Sequence, residues 1–194
     1  VNNCTFELLL IYLIKSMIRV ASANDIPEML GIYAPYIEKS AVSFELEVPG
    51  EPEFLERMLL LQKKYPWLVA EEDGKIAGYA YAAPYRERKA YQWSVETSVY
   101  ICPSRKGSGV ASELYGKLLH QLSKLGYHLA YAIITLPNPA SEKFHKKMGF
   151  ENVGIFPEAG YKLGRWHDVK WMLFRLQPAG ALPLSCPEKF SGLC

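Results

Sequence analysis

The strongest constraint in this chain is one continuous stretch from Val95 to Leu122, VETSVYICPSRKGSGVASELYGKLLHQL. Its β-branched opening reads as a strand and its close as an amphipathic helix. Only a polar turn bearing Gly107 and Gly109 separates the two. Glycine lets a backbone come close to a ligand, and the amides at a helix N-terminus converge on a partly positive spot that attracts anions. Arg105, Lys106 and Ser108 can add charge or hydrogen bonds. Such a turn suits a pyrophosphate; an ordinary tight turn is the competing reading. Two other phosphate motifs do not fit. There is no G-x-x-x-x-G-K-[ST], and the glycines lack the G-x-G-x-x-G spacing and early position of a dinucleotide fold.

The rest of the chain reads as elements that would surround this unit. A short strand at Met17–Ala21 leads to a helix capped near Asn24 or Asp25, with Pro27 in its first turn and Ile26, Met29, Leu30, Tyr33 and Ile37 at helical spacing. A second helix is expected over 51–64. WLVAEEDGKIAGYAYAAPY is a hairpin around Glu-Asp-Gly-Lys, followed by an extended run over 91–101. A helix over 109–125 stops at Gly126, YHLAYAIITL is a strand, and NPASEKFHKKMGF is a short helix with Asn138 at its cap and Gly149 past its end. Two last strands are expected near 151–155 and 167–176. The order β-α-α-β-β-β-α-β-α-β-β predicts an α/β (α+β) fold, a mixed sheet flanked by helices.

At 194 residues the chain is long enough for one full core and short for two. The expected division is an extension at 1–16, a domain at 17–178 and a tail at 179–194 outside the core. Lys and Arg number 22 against 20 acidic residues, and the basic ones are scattered, so nucleic acid is not the expected partner. The opening CTFELLLIYLI is too short to span a bilayer and carries Glu7, so no membrane role is expected. Cys4, Cys102, Cys186 and Cys194 form no C-x-x-C, and His120, His128, His145 and His167 form no ligand pattern. These spacings predict no metal and a reducing, cytoplasmic setting.

The run Lys106-Gly107-Ser108-Gly109-Val110-Ala111 resembles the acetyl-CoA pyrophosphate loop of the GNAT N-acetyltransferase superfamily, Gln/Arg-x-x-Gly-x-Gly/Ala, with Lys106 a conservative departure. Within it the chain is most similar to the phosphinothricin and methionine-sulfoximine acetyltransferases. The matching stretches are IYAPYIEKSAVSFE, YPWLVAEEDGKIAGYAYAAPYRERKAY, QWSVETSVY, ITLPNPASEKFHKKMGF and GYKLGRWHDVKW. The resemblance implies a GNAT fold, acetyl-CoA as co-substrate without metal, a small amine acceptor and a homodimer.

Candidate residues follow from both sources. Glu96 is a carboxylate in an apolar extended run, where it needs a reason to be. The resemblance implies a general base for it; binding the substrate ammonium or a structural ion pair are the alternatives. The resemblance also implies that amides along Val99, Tyr100 and Ile101 hold the acetyl carbonyl and pantetheine arm. His145 stands four residues before Gly149, where the superfamily often has a proton-donating tyrosine; acid or relay, cofactor contact and plain packing stay open. Asn138 and Ser141 are implied cofactor contacts, with helix capping the simpler role for Asn138. Arg86 or Arg88, with Arg88 preferred, can clamp an acceptor carboxylate. Phe44, Tyr85, Trp93 and Trp166 are candidate acceptor walls, with core packing equally open for each. Another amine acceptor (an antibiotic, a polyamine or a protein N-terminus) is the first rival, and a non-catalytic acyl-CoA sensor the second.

Overall fold

Long apolar runs on both sides of a strand need cover on both, and the sheet here is packed that way. The computed structural model describes residues 16–183 and 185–193. Seven strands, β1 (Met17–Val20), β2 (Trp67–Glu72), β3 (Lys75–Pro84), β4 (Ser94–Ile101), β5 (Leu129–Thr135), β6 (Glu151–Lys162) and β7 (Arg165–Arg175), form one sheet in the order β1-β2-β3-β4-β5-β7-β6. Helices α1 (Ile26–Glu38) and α2 (Glu51–Gln62) follow β1, α3 (Val110–Lys124) joins β4 to β5, and α4 (Pro139–Lys147) joins β5 to β6. Every pairing is antiparallel except that of β4 with β5. The mixed, mostly antiparallel α/β sheet and the element order are those expected from the sequence.

Strand alternation makes two cores. Val95, Ile101, Ala130, Ala132 and Ile134 point to one face, where α3 lays fully buried Leu114, Tyr115, Leu118 and Leu122 across them. On the other face Trp67, Val69 and Tyr79 meet Met29, Tyr33 and Ile37 of α1 and Phe54 and Met58 of α2. Each large apolar side chain so buried contributes roughly 1.5–3 kcal/mol.

β4 is the strand that positions the chemistry. It pairs with β3 along its length, from Val95 opposite Pro84 to Ile101 opposite Gly78. With β5 it pairs only over Ser94–Glu96 against Leu129–Tyr131. Beyond Glu96 the two strands part. At the fork Thr97 Oγ1 donates to the Tyr131 carbonyl at 3.1 Å and shares a 2.7 Å bond with the buried Tyr115 hydroxyl.

Two expectations are corrected. β6 runs on from Ile155 to Lys162, bent where Pro157 and Glu158 (φ 49°) break the register and the Glu158 amide turns to the Asp168 carboxylate. The tail is not outside the core: Phe190 and Leu193 pack on the α3-side core, and the Glu188 and Phe190 amides donate to the Leu125 and Lys64 carbonyls. The extension expected at 1–16, all but Ser16, lies outside the described residues with Cys4, as does Cys194. Among the described residues no helix is long and apolar enough to cross a membrane.

Gly78 marks a close approach. A Cβ there would lie 2.5 Å from Ile101 Cδ1 and 2.7 Å from the Tyr100 carbonyl oxygen, and a backbone atom cannot swing aside. Gly78→Ala is expected to cost about 1–3 kcal/mol, seen as a lower urea midpoint at unchanged m-value.

Candidate active site

Where β4 and β5 part, a cavity of about 490 Å³ opens. Thr97–Ile101 of β4 form one wall and Ala132–Thr135 of β5 the other. The Cys102 amide donates to Ala77 of β3. By the two-residue period of a strand, the amides of Tyr100 and Ser98 also face β3, while those of Val99 and Ile101 face the cleft. The sheet therefore offers two hydrogen-bond donors to whatever fills the gap.

One end of the cleft is the glycine turn. Gly107 (φ 85°) and Gly109 (φ 98°) both hold left-handed backbone, and Gly109 is the N-cap of α3. A Cβ at either would meet nothing within 4 Å, so the demand is for the dihedral angle rather than for space. Lys106, Gly107, Gly109 and Ala111 line the cavity, with the Lys106 ammonium 5.3 Å from the Tyr36 ring centre. Three neighbours already have partners, Arg105 among them although it also lines the cavity. Arg105 bonds Glu72 at 3.2 Å, the Ser108 hydroxyl donates to the Arg105 carbonyl at 2.9 Å, and the Val110 side chain is buried in the core. The Ser108 hydroxyl is thus spent within the turn, and Val110 meets the turn through its backbone rather than its side chain. The cradle is chiefly backbone.

The far side is α4. Asn138 Oδ1 accepts from the Ser141 amide at 3.1 Å, so it caps the helix as well as lining the cavity. Asn138, Ser141 and His145 all reach that lining. His145 is 6% exposed and ringed by Tyr115, Phe144 and Phe150. Its Nδ1 donates to the Ser141 carbonyl at 2.9 Å. Burial lowers the imidazole pKa, with that bond acting the other way. The ring is therefore held neutral near pH 7.

Glu96 lies on the sheet face opposite Val95 and Thr97, half-buried, one residue before the fork. Burial pushes its carboxyl above the ordinary carboxylate range, while the Arg86 charge pulls it back. The Arg86 guanidinium lies 5.1 Å from the Tyr85 ring centre and 5.6 Å from that of Trp171. Tyr85 stacks on Tyr131 at 4.4 Å, and Tyr131 is the ladder partner of Glu96. On the same face Tyr81 is pushed up to about 12 by burial, with Ser98 opposing, so its phenol stays protonated. Arg86, Tyr85, Tyr131 and Trp171 thus make an aromatic, cationic bay beside the carboxylate. Sequence reasoning missed Tyr131, Trp171 and Tyr81; their alternation in YHLAYAIITL, VKWMLF and GYAYAAP was the available signal.

Other expectations are redistributed. Arg86 is the arginine whose charge acts on Glu96; Arg88, exposed as Arg86 is, begins the next turn. Trp93 Nε1 donates to the Ser185 carbonyl at 3.0 Å and lines a separate cavity under the tail. Trp166 is 59% exposed against Tyr161. Phe44, whose place as an acceptor wall stays an expectation, sits on the β6–β7 hairpin, 6.2 Å from the His167 ring. Among the described residues no group of three His, Cys, Asp or Glu side chains could hold a metal.

Comparison with known proteins adds four findings. Residues 18–171 match a family model described as an acetyltransferase (GNAT) domain. The chain is 41% identical to the phosphinothricin N-acetyltransferase of Streptomyces viridochromogenes, over 78% of this chain and 83% of that one. It is 35% identical to the L-methionine sulfoximine/L-methionine sulfone acetyltransferase of Salmonella typhimurium, over 63% and 71%. Its fold superposes on a phosphinothricin acetyltransferase from Sinorhizobium meliloti in complex with AcCoA, TM-score 0.84, 31% identical, covering 89% of this chain and 95% of that one.

Glu96 carries a sign that can be tested without any ligand. A carboxyl whose folded pKa is raised opposes folding when ionised; the penalty is complete above the folded pKa and absent below the unfolded one. Glu96→Gln is therefore expected to raise Tm at pH 8, with the gain fading toward pH 4 in calorimetry.

Proposed function

The chain belongs to the GNAT acetyltransferase family, and on that premise we propose that it transfers acetyl from acetyl-CoA to the α-amine of a small amino acid of the phosphinothricin, methionine sulfoximine or methionine sulfone type. One observation carries the reading. A carboxylate with a raised pKa stands on the strand whose next free amides, those of Val99 and Ile101, face a cleft headed by a glycine cradle.

Acetyl-CoA supplies an activated acetyl thioester. The N-terminus of α3, with Gly107 and Gly109 shaping the turn and the Val110 amide resting only on Ser108 Oγ at 3.4 Å, suits its pyrophosphate. Those of Val99 and Ile101 are placed to polarise the thioester carbonyl and orient the arm. Glu96 takes the proton from the acceptor ammonium, directly or through water, so that the free amine attacks the carbonyl carbon; the C–S bond breaks, and the second proton shed by the nitrogen passes through water to the departing CoA thiolate. Its raised pKa brings the base closer to the operating pH. Arg86 has no salt-bridge partner among the described residues and is suited to an acceptor carboxylate. A free cation in that bay disfavours a polyamine. For His145 the surroundings support cofactor contact rather than acid catalysis, because a neutral ring already donating through Nδ1 holds no second proton to give.

The reading includes a homodimer and a cytoplasmic setting. β6 is an edge strand with Val153, Ile155 and Phe156 each more than half exposed, an apolar edge that a second copy would cover. Cys102 and Cys186 are free thiols among the described residues.

Acetyl-CoA-dependent thiol release against methionine sulfoximine, methionine sulfone, phosphinothricin, methionine and spermidine tests the activity. Turnover of a sulfoximine, sulfone or phosphinate amino acid is expected. In Glu96→Gln, kcat/KM should fall by ~10²–10⁴, and the acidic limb of its pH profile, placed above the ordinary carboxylate range, should disappear. Preference for spermidine, or binding of acetyl-CoA with no turnover, overturns the acceptor. Sedimentation should give two chains per particle, and Ile155→Lys, which charges the edge, should give one.

A further inference from the structure

The segment between α1 and α2 has no regular structure, yet it brings Val42 to the cofactor cavity and Phe44 to the β6–β7 hairpin. A segment without a ladder of its own stays put only through side-chain anchors. One anchor lies at its root. The Tyr33 hydroxyl bonds Ser43 Oγ at 2.8 Å and Glu45 at 3.1 Å, and Arg57 donates to the same Glu45 carboxylate.

The second anchor reaches across from another part of the chain. Lys162, at the end of β6, is only 5% exposed, and its Nζ donates to the Ser43 carbonyl at 2.7 Å. Its own carbonyl accepts from His167 Nε2 at 3.0 Å. No carboxylate pairs with it among the described residues. Burial works against this ammonium and only the more distant Glu45 charge supports it, so the contact is not a default of packing. Beside it, the Phe44 ring covers Gly160 so closely that a Cβ there would overlap three ring atoms. Gly160 and Lys162 share one side of β6, so ring and ammonium form a two-point attachment.

We propose that Lys162 is a positioning residue that clamps the 40–47 segment onto the β6–β7 hairpin, so that Phe44 and Val42 close the junction between the acceptor bay and the cofactor cleft. It touches no reacting atom; it sets how well the acceptor is held. The inference rests on the acceptor reading above, and its test separates the two.

Hydrogen exchange over 40–47 and steady-state kinetics are measured on the full chain, with Lys162→Met, Lys162→Arg and Gly160→Val. In Lys162→Met, exchange in that segment alone should quicken by ~10-fold or more and acceptor KM should rise by ~10-fold or more, the loss of one charged hydrogen bond. kcat at saturating substrates should stay within about twofold. Lys162→Arg, which keeps a donor, should recover most of the loss. Gly160→Val displaces Phe44 with Lys162 intact and should give the same pattern, which decides the matter if Lys162→Met does not fold. Unchanged exchange and acceptor KM overturn the clamp, as does an Arg variant as poor as Met with exchange raised throughout the molecule. A wild-type protein silent toward every acceptor overturns the acceptor reading, while the exchange comparison still decides the clamp.

Discussion

Everything in the site depends on a ladder that stops early. β4 and β5 share only three residue pairs, Ser94–Glu96 with Leu129–Tyr131, and then diverge. A sheet interior is ordinarily the part of a protein where backbone groups are most completely paired. Opening it there is tolerable because each strand keeps a full partner on its other side, β3 for β4 and β7 for β5. The fork is held by Thr97, bonded to both the Tyr131 carbonyl and the Tyr115 hydroxyl. The gap is then a fixed slot between two supported walls.

The same fork explains the electrostatics. Glu96 is the last residue with a partner on both sides, so it is sheltered enough for burial to raise its pKa and open enough to meet Arg86. His145, inside the slot and enclosed by aromatic edges, is pushed the opposite way and kept neutral. Burial penalises charge at both, and in each case the penalty favours the uncharged form.

Much of this was readable from the residues. The helices were fixed by their spacing and caps, and Asp73 and Gly74, at φ 53° and 73°, make the hairpin turn that Glu-Asp-Gly-Lys announced. The glycine cradle and Glu96 were readable because glycine and a carboxylate are each out of place in what surrounds them. Most of what was not readable concerns side chains whose partners lie far off in sequence. Nothing local to PYRERKAY separates Arg86 from Arg88; Trp171, 85 residues past Arg86 by numbering, makes the difference. Trp93 is drawn away by Ser185, and Phe190 is brought in by Lys64. β6 hid its length because its exposed apolar residues follow no alternating pattern.

In the proposed reading the cofactor cleft draws its hydrogen-bond donors chiefly from backbone amides, the acceptor bay from side chains such as Arg86, Tyr85 and Trp171. Amides survive most substitutions unchanged, whereas a side chain is replaced by a single codon change. Drift in such a molecule would fall unevenly: the donor chemistry is inherited with the fold, and the choice of amine stays open to selection at a handful of positions. A lineage could thus exchange one acceptor for another without passing through an inactive ancestor.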